Sequence, residues 1–272
     1  LGNTFQEAVF NGARDLIEDQ DGKWMSFVNR ALDELNPHVV KMTALNLGFE
    51  AGFSGFKKTK ELKKVHNCNV PWIILMDPTS ACNLHCTGCW ASEYGHKLNL
   101  TYEEMDDIIT QGKELGIHCF FLWQENSLEQ SSDLLDLVEF HKDCAFLWQI
   151  PDAELNRETV SRIADCGNLM LSLPFEGEHT QKNAMSLHQV KALYTFYLFY
   201  ENKGIINELP EMSSQIEDGN CSFLLLIAKD NCDQADRNKV AEYVYNFRLK
   251  QNYPFIPVDM YGDFTTINNI IS

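Results

Sequence analysis

The stretch Val70-Pro-Trp-Ile-Ile-Leu-Met-Asp-Pro-Thr-Ser-Ala-Cys-Asn-Leu-His-Cys-Thr-Gly-Cys-Trp-Ala91 decides how this chain is read. Its first part, Trp72–Met76, is a short continuous apolar run, the texture of a strand buried on both faces of a parallel sheet. Cys82, Cys86 and Cys89 then place three thiols within eight residues, just past the strand. In parallel α/β barrels the loops at the C-terminal ends of strands build the active site, so these thiols stand where chemistry is expected. Thiolates are the standard ligands of iron–sulfur clusters and common ligands of zinc. Gly88 eases the tight path such a loop needs. Three thiolates on a four-iron core leave one iron open, which is a catalytic design. A closed zinc or structural site would recruit a fourth ligand, for which Cys68, Cys119, His85 and His96 are candidates.

Downstream, the sequence alternates between two periods. A helix is expected over Tyr102–Leu115, with Thr101 and Glu104 in capping-box spacing. Strands are expected at Cys119–Trp123, Ala145–Ile150, Leu169–Leu173, Phe223–Ala228 and Phe255–Asp259. Helices are expected at Asp133–His141, at Arg157–Asp165 up to Gly167, near Leu187–Asn202, and at Ala235–Lys250. The aromatic stripe Tyr194, Phe196, Tyr197, Phe199 and Tyr200 reads as a buried helix face. The polar stretch Lys203–Asn220 reads as a long loop. Strands alternating with helices of this length give βαβ units and a parallel sheet. Six strands are too few to close an eight-stranded barrel, so an open or partial barrel is expected.

Upstream, residues 1–68 read as helical. Thr4 and Glu7 have capping-box spacing, and Phe5, Ala8, Val9, Leu16 and Ile17 share one face. Trp24, Phe27, Val28, Ala31, Leu32 and Leu35 repeat the period, and Asn36-Pro37 opens a further helix through Leu45. Gly48, Gly52 and Gly55 are expected to end it. The basic run Lys57, Lys58, Lys60, Lys63 and Lys64 reads as a solvated helix face.

Composition narrows the function further. The 272 residues carry 39 acidic and 22 basic side chains, a formal net charge of −17, which argues against binding a phosphate backbone. A hydrophobic share of 44% is that of an ordinary globular chain. The longest apolar runs fall well short of the roughly 20 residues of a membrane helix, and no secretory leader is read at the start. Nine cysteines, an odd number in a chain of this length, suit reduced thiols in the cytoplasm. His118, His141, His179 and His188 are scattered and read as surface or satisfied histidines, while Cys119 and Cys144 read as core. Gly-rich nucleotide loops are absent.

The C-x3-C-x2-C loop after the first strand, together with the whole Val70–Ala91 stretch, resembles the radical S-adenosylmethionine (radical SAM) superfamily. The likeness is sharp over residues 70–116 and fainter elsewhere. The resemblance implies an α/β fold: a partial (β/α)6 barrel of radical SAM type over residues 69–272, with an N-terminal helical extension over 1–68. It implies that Cys82, Cys86 and Cys89 hold one [4Fe-4S] cluster. S-adenosylmethionine (SAM) would chelate the open iron by its amino and carboxylate groups. An electron from a donor such as reduced flavodoxin or ferredoxin would split it into methionine and a 5′-deoxyadenosyl radical. That radical then takes a hydrogen atom from a substrate the sequence does not name.

The chain departs from the family where SAM is held. The Gly-Gly-Glu-Pro motif after the second strand is replaced by Trp123-Gln124-Glu125-Asn126-Ser127, leaving Glu125 and Asn126 as the oxygen donors for the methionine ammonium. Ile150-Pro151-Asp152 stands where relatives carry Thr-Asn-Gly. Near the fourth strand Ser172 remains of a Ser-x-Ser pattern, Pro174 replaces its second serine, and Glu176-Gly177 fits. Trp90 takes the place beside the adenine, since the residue before the last cysteine is Gly88. Trp90, Glu125, Asn126, Ser172 and Glu176 are therefore the expected SAM contacts. Two rival expectations stand beside this one. In the first, a degenerate, non-catalytic barrel acts as an accessory subunit, paired with an active relative, its pocket filled by side chains such as Trp123 and Trp148. In the second, zinc stabilises the domain.

Overall fold

The structure, a computed structural model, describes residues 11, 14–15, 17–19, 21–79, 98–123, 131–216, 221–250 and 255–271. Seven strands run parallel in the order β1 to β7, each paired with the next: Ile74–Met76, Cys119–Trp123, Ala145–Gln149, Leu169–Pro174, Tyr194–Tyr200, Cys221–Ala228 and Ile256–Asp259. They form a curled, partial α/β barrel. Trp72, just ahead of β1, lies 5.5 Å from Phe264 of the last helix, so the two edges of the sheet are drawn toward each other.

The helices are α1 Lys23–Glu34, α2 Pro37–Thr43, α3 Ala44–Gly55, α4 Phe56–His66, α5 Tyr102–Glu114, α6 Ser131–Phe140, α7 Arg157–Cys166, α8 Thr180–Gln189, α9 Ile205–Gln215, α10 Gln234–Lys250 and α11 Met260–Ile271. Local chemistry sets several of their ends. Thr101 Oγ1 accepts from Glu104 N–H, and Glu104 returns a carboxylate to Thr101 N–H, completing the expected capping box of α5. Asn36 Oδ1 accepts from His38 N–H and Pro37 opens α2. Asn156 caps α7 through Thr159 N–H. Gly167 ends α7 in the left-handed region at φ 72°, where a Cβ would also lie 2.6 Å from the His38 ring.

Alternation along the strands sorts the core into two faces. Phe120, Leu122, Phe146, Trp148, Leu171, Leu173, Phe196, Leu224 and Leu226 pack outward against Leu134, Val138, Ile163, Leu187, Val240 and Val244 of the surrounding helices. The concave face carries Leu75, Phe121, Leu147 and Met170 on one rung of Cα partners, and Trp123, Gln149, Ser172 and Thr195 on the next.

The N-terminal helices close the barrel from below. Asn46 of α3 donates from Nδ2 to the carbonyls of Lys142 and Cys144, each at 2.8 Å, at the start of β3. Asn36 N–H bonds the Lys191 carbonyl before β5, and Phe27 lies 6.3 Å from Phe223 of β6. Leu35 and Val39 pack with Leu193 and with Met170 of the concave face. The floor thus runs beneath β3 to β6.

Four expectations are corrected. The stripe at 194–200 is strand β5, not part of a helix, because a seven-residue run with five aromatics suits a strand buried in a sheet as well as a helix face, and the helix ends at Gln189. The strands therefore number seven rather than six. The expected loop at 203–220 contains helix α9, with buried Leu209 and Met212 and with Pro210 inside it. Gly48, Gly52 and Gly55 do not end the helix that begins at Pro37. It continues through α3 with wide π-type turns, and Gly55 needs its bare backbone because a Cβ there would lie 2.2 Å from the Gly116 carbonyl oxygen. The capping box expected at Thr4 and Glu7 lies outside the described residues.

Candidate functional site

The C-terminal ends of the strands gather at one mouth, and the chain leaves β1 there. Met76 is followed by Asp77, whose half-buried carboxyl is pushed up by burial against the opposing hydrogen bond from Thr79 N–H. Thr79 and Asn99 form an isolated antiparallel bridge, their side chains are hydrogen-bonded, and Leu100 N–H bonds the Pro78 carbonyl at 2.9 Å. Residues 80–97 therefore leave and return through one pinched neck beside the end of β1. Cys82, Cys86, Cys89 and Trp90 belong to that span, and Glu125 and Asn126 to the span after β2. All six lie outside the described residues.

Two expected contacts are described. Ser172 sits on the concave face of β4, fully buried, with no partner for its hydroxyl. Glu176 is exposed in the turn after β4 and is not brought close to Ser172 by any hydrogen bond among the described residues. The neighbouring Asp152 gives both carboxylate oxygens to backbone N–H groups, of Glu178 and His179, at 2.8 and 3.0 Å. Asp152 thus ties the β3 and β4 loops together.

Aromatic side chains cross the concave face. Trp123, the last residue of β2, meets Phe199 of β5 edge-on at 6.1 Å, spanning the intervening β3 and β4. Tyr197 reaches from β5 to donate its hydroxyl to the Ile150 carbonyl at 3.0 Å, just past β3. Trp148 is turned the other way, into the helix-covered core, so it fills no part of the concave face. Beneath the Trp123–Phe199 contact, Gln149 and Ser172 are register partners on adjacent strands. Neither oxygen nor nitrogen of the Gln149 carboxamide has a hydrogen bond. The sequence reading missed Gln149. The only trace in the sequence is a polar residue closing the apolar run Ala145-Phe-Leu-Trp-Gln149, and its face follows from the strand register.

Cys119, Cys144, Cys166 and Cys232 are buried, whereas Cys68 is exposed. Cys119 lies at the start of β2, the end opposite the neck, and burial pushes its thiol up to about 12. Burial also raises the thiol of Cys144, and that of Cys166 to about 12. Cys119 is accordingly removed from the candidate fourth ligands. His141 is buried, with Nε2 at 2.7 Å from Asp106 and Nδ1 unpartnered. His118, Asp143 and Cys144 cluster at the floor end, where the Asp143 carboxylate is already paired with Lys113.

No family model matches the sequence, and no curated protein matches it. Solved structures do. SuiB of Streptococcus suis bound to S-adenosylmethionine aligns with a TM-score of 0.56 at 16% identity, over 74% of this chain and 50% of that one. SuiB bound to its precursor peptide SuiA aligns with a TM-score of 0.56 at 17% identity, over 79% and 55%. The chain thus spans about half the length of the SuiB structures, and the likeness is one of fold. No helix of the described residues is long and apolar enough to cross a membrane.

Proposed function

Because the chain has the radical SAM fold, we propose that it is a radical SAM-type iron–sulfur protein with one [4Fe-4S] cluster on Cys82, Cys86 and Cys89. The observation that carries this reading is the pinched neck: residues 80–97 leave and rejoin the barrel at the Thr79–Asn99 bridge, beside the C-terminal end of β1. Cys82 lies three positions past Thr79, a reach of at most about 11 Å from the neck. The donor set fits the group: three thiols close in sequence are the usual ligands of such a cluster. When bound, the cluster supplies the electron for reductive cleavage of S-adenosylmethionine.

The chain's own residues have the other tasks. The floor helices and the outer helices shield the concave face from water. Glu125 or Asn126 accepts from the ligand's ammonium group, while Trp90, Ser172 and Glu176 meet its adenine and ribose. A reduced flavodoxin or ferredoxin, docking from outside, is the expected electron donor, and a cytoplasmic setting keeps the thiols reduced. Residues 1–68 serve as a helical extension to the barrel of 69–272. The substrate is left open.

A second reading has its own support. Trp123 and Phe199 meet across the concave face, which favours an accessory barrel that assembles with an active relative and binds no SAM. One experiment separates the two. Anaerobically reconstituted protein is given dithionite and SAM, binding is followed by calorimetry and 5′-deoxyadenosine by chromatography. The first reading expects binding and formation of 5′-deoxyadenosine, with Glu125→Ala or Asn126→Ala binding more weakly than Gln130→Ala. A clustered protein that neither binds nor cleaves SAM supports the accessory reading instead.

A further inference from the structure

At the floor end, opposite the mouth, β2 and β3 begin beside three side chains of metal-binding type. Cys119 pairs with Ala145 in the register of these strands, and Ala145 N–H bonds the His118 carbonyl at 2.8 Å. One step earlier, His118 and Cys144 therefore stand side by side and leave the sheet on one face, while Cys119 turns to the other. Asp143 precedes Cys144 in the turn. An imidazole nitrogen of His118, a carboxylate oxygen of Asp143 and the Cys144 sulfur all lie within 4.8 Å of one another.

The group is held on rigid elements. His118 Nδ1 is 3.0 Å from the Asp143 carbonyl oxygen. The Cys144 carbonyl accepts from Asn46 Nδ2 at 2.8 Å and from Asn168 Nδ2 at 3.1 Å. Cys166 and Cys232 give their S–H groups to Glu139 and to the Asp233 carbonyl, each at 3.8 Å, whereas the Cys144 thiol has no hydrogen-bond partner among the described residues. Asp143 is half exposed, so its 3.0 Å pair with Lys113 is open to water and a divalent cation displaces the ammonium at little cost. The donor set selects the ion. Calcium and magnesium take oxygen ligands and iron–sulfur clusters take several thiolates, while imidazole, thiolate and carboxylate together suit a borderline ion such as zinc.

We propose that His118, Asp143 and Cys144 bind one zinc-type divalent ion, with water as the fourth ligand, clamping the starts of β2 and β3. On binding, the Cys144 thiol passes its proton to solvent and its sulfur bonds the metal as thiolate, while Asp143 exchanges Lys113 for the ion. None of Cys82, Cys86 and Cys89 takes part, so failure of this site is distinct from failure of the cluster to assemble. The test is anaerobic titration with cobalt(II) chloride of the full chain carrying Cys82→Ala, Cys86→Ala and Cys89→Ala, which removes the competing loop thiols. One cobalt per chain should bind, with a thiolate-to-cobalt band and the intense visible absorption of a four-coordinate ion, and zinc should displace it. Affinity should rise about tenfold from pH 7 to pH 8, the mark of one thiol proton released. Cys144→Ser should remove the thiolate band, and Cys68→Ala, at an exposed thiol, should leave it. Should the buried Cys144→Ser variant fail to fold, His118→Gln and Asp143→Asn carry the test, each weakening binding about tenfold or more. A six-coordinate spectrum without the thiolate band, a band that survives Cys144→Ser or disappears with Cys68→Ala, or an affinity indifferent to pH overturns the proposal.

Discussion

Replacing Gln149 by Leu should stabilise the ligand-free protein, the reverse of what most buried substitutions do. The reasoning follows from the burial. Both polar atoms of the carboxamide are inaccessible and unpartnered, and each such atom costs about 1–3 kcal/mol relative to its hydrated state. Leu has a similar volume and no polar atom, so it leaves no cavity on a face already lined by Leu147 and Trp123. Allowing for imperfect fit of the branched chain, the expected gain is about 1–3 kcal/mol. At roughly 2–4 °C per kcal/mol for a domain of this size, the midpoint should rise by several degrees. Urea unfolding under anaerobic conditions should show a higher midpoint with an unchanged slope, which separates added stability from a change in the unfolded state. Ser172→Ala should be neutral or mildly stabilising by the same logic. If Gln149→Leu instead loses more than about 1 kcal/mol, the carboxamide is hydrogen-bonded in solution and the reasoning fails.

Three further outcomes are expected. Asn46→Ala removes two buried hydrogen bonds that fix α3 to the start of β3, and should cost about 2–3 kcal/mol in urea unfolding; a loss below about 0.5 kcal/mol would mean that the floor is not docked. Burial, opposed by the hydrogen bond to Asp106, lowers the pKa of His141 in the folded state, so the unfolded chain binds the proton first. Stability should be full above the unfolded value of about 6.5 and fall as the pH drops below it; His141→Gln should flatten that limb, and an unchanged slope would assign it to other groups. Single replacement of Cys82, Cys86 or Cys89 by Ala should abolish iron binding, whereas Cys144→Ala should keep it, because that thiol is buried and held protonated at the floor end. Iron lost equally in all four would remove the assignment.

The sequence carried the fold through its local signals. The capping box at Thr101 and Glu104, the cap at Asn36-Pro37 and the stop at Gly167 are chemistry within a few residues, and each appears as read. What failed depended on distant contacts. Five of the seven residues 194–200 are aromatic, and only pairing with β4 and β6 makes them a strand. Gly55 of α3 lies against Gly116, sixty-one positions away in the chain, a contact that local reading does not reveal. Helix α9 is held by the burial of Ile205, Leu209 and Met212, spaced among polar residues. At the site, the cysteine spacing was plain in the sequence. Gln149 was not, since a lone polar residue in an apolar run gives no sign of which face it occupies until the register is known.

The central claim is that the loop pinched at Thr79 and Asn99 carries a four-iron cluster on three thiolates. Mössbauer spectroscopy of 57Fe-reconstituted, anaerobically purified protein, with iron and sulfide counted per chain, tests it most directly. About four irons and four sulfides, with one iron site whose spectrum changes when SAM is added, is the expected result. Colourless protein holding about one zinc and no sulfide would contradict it.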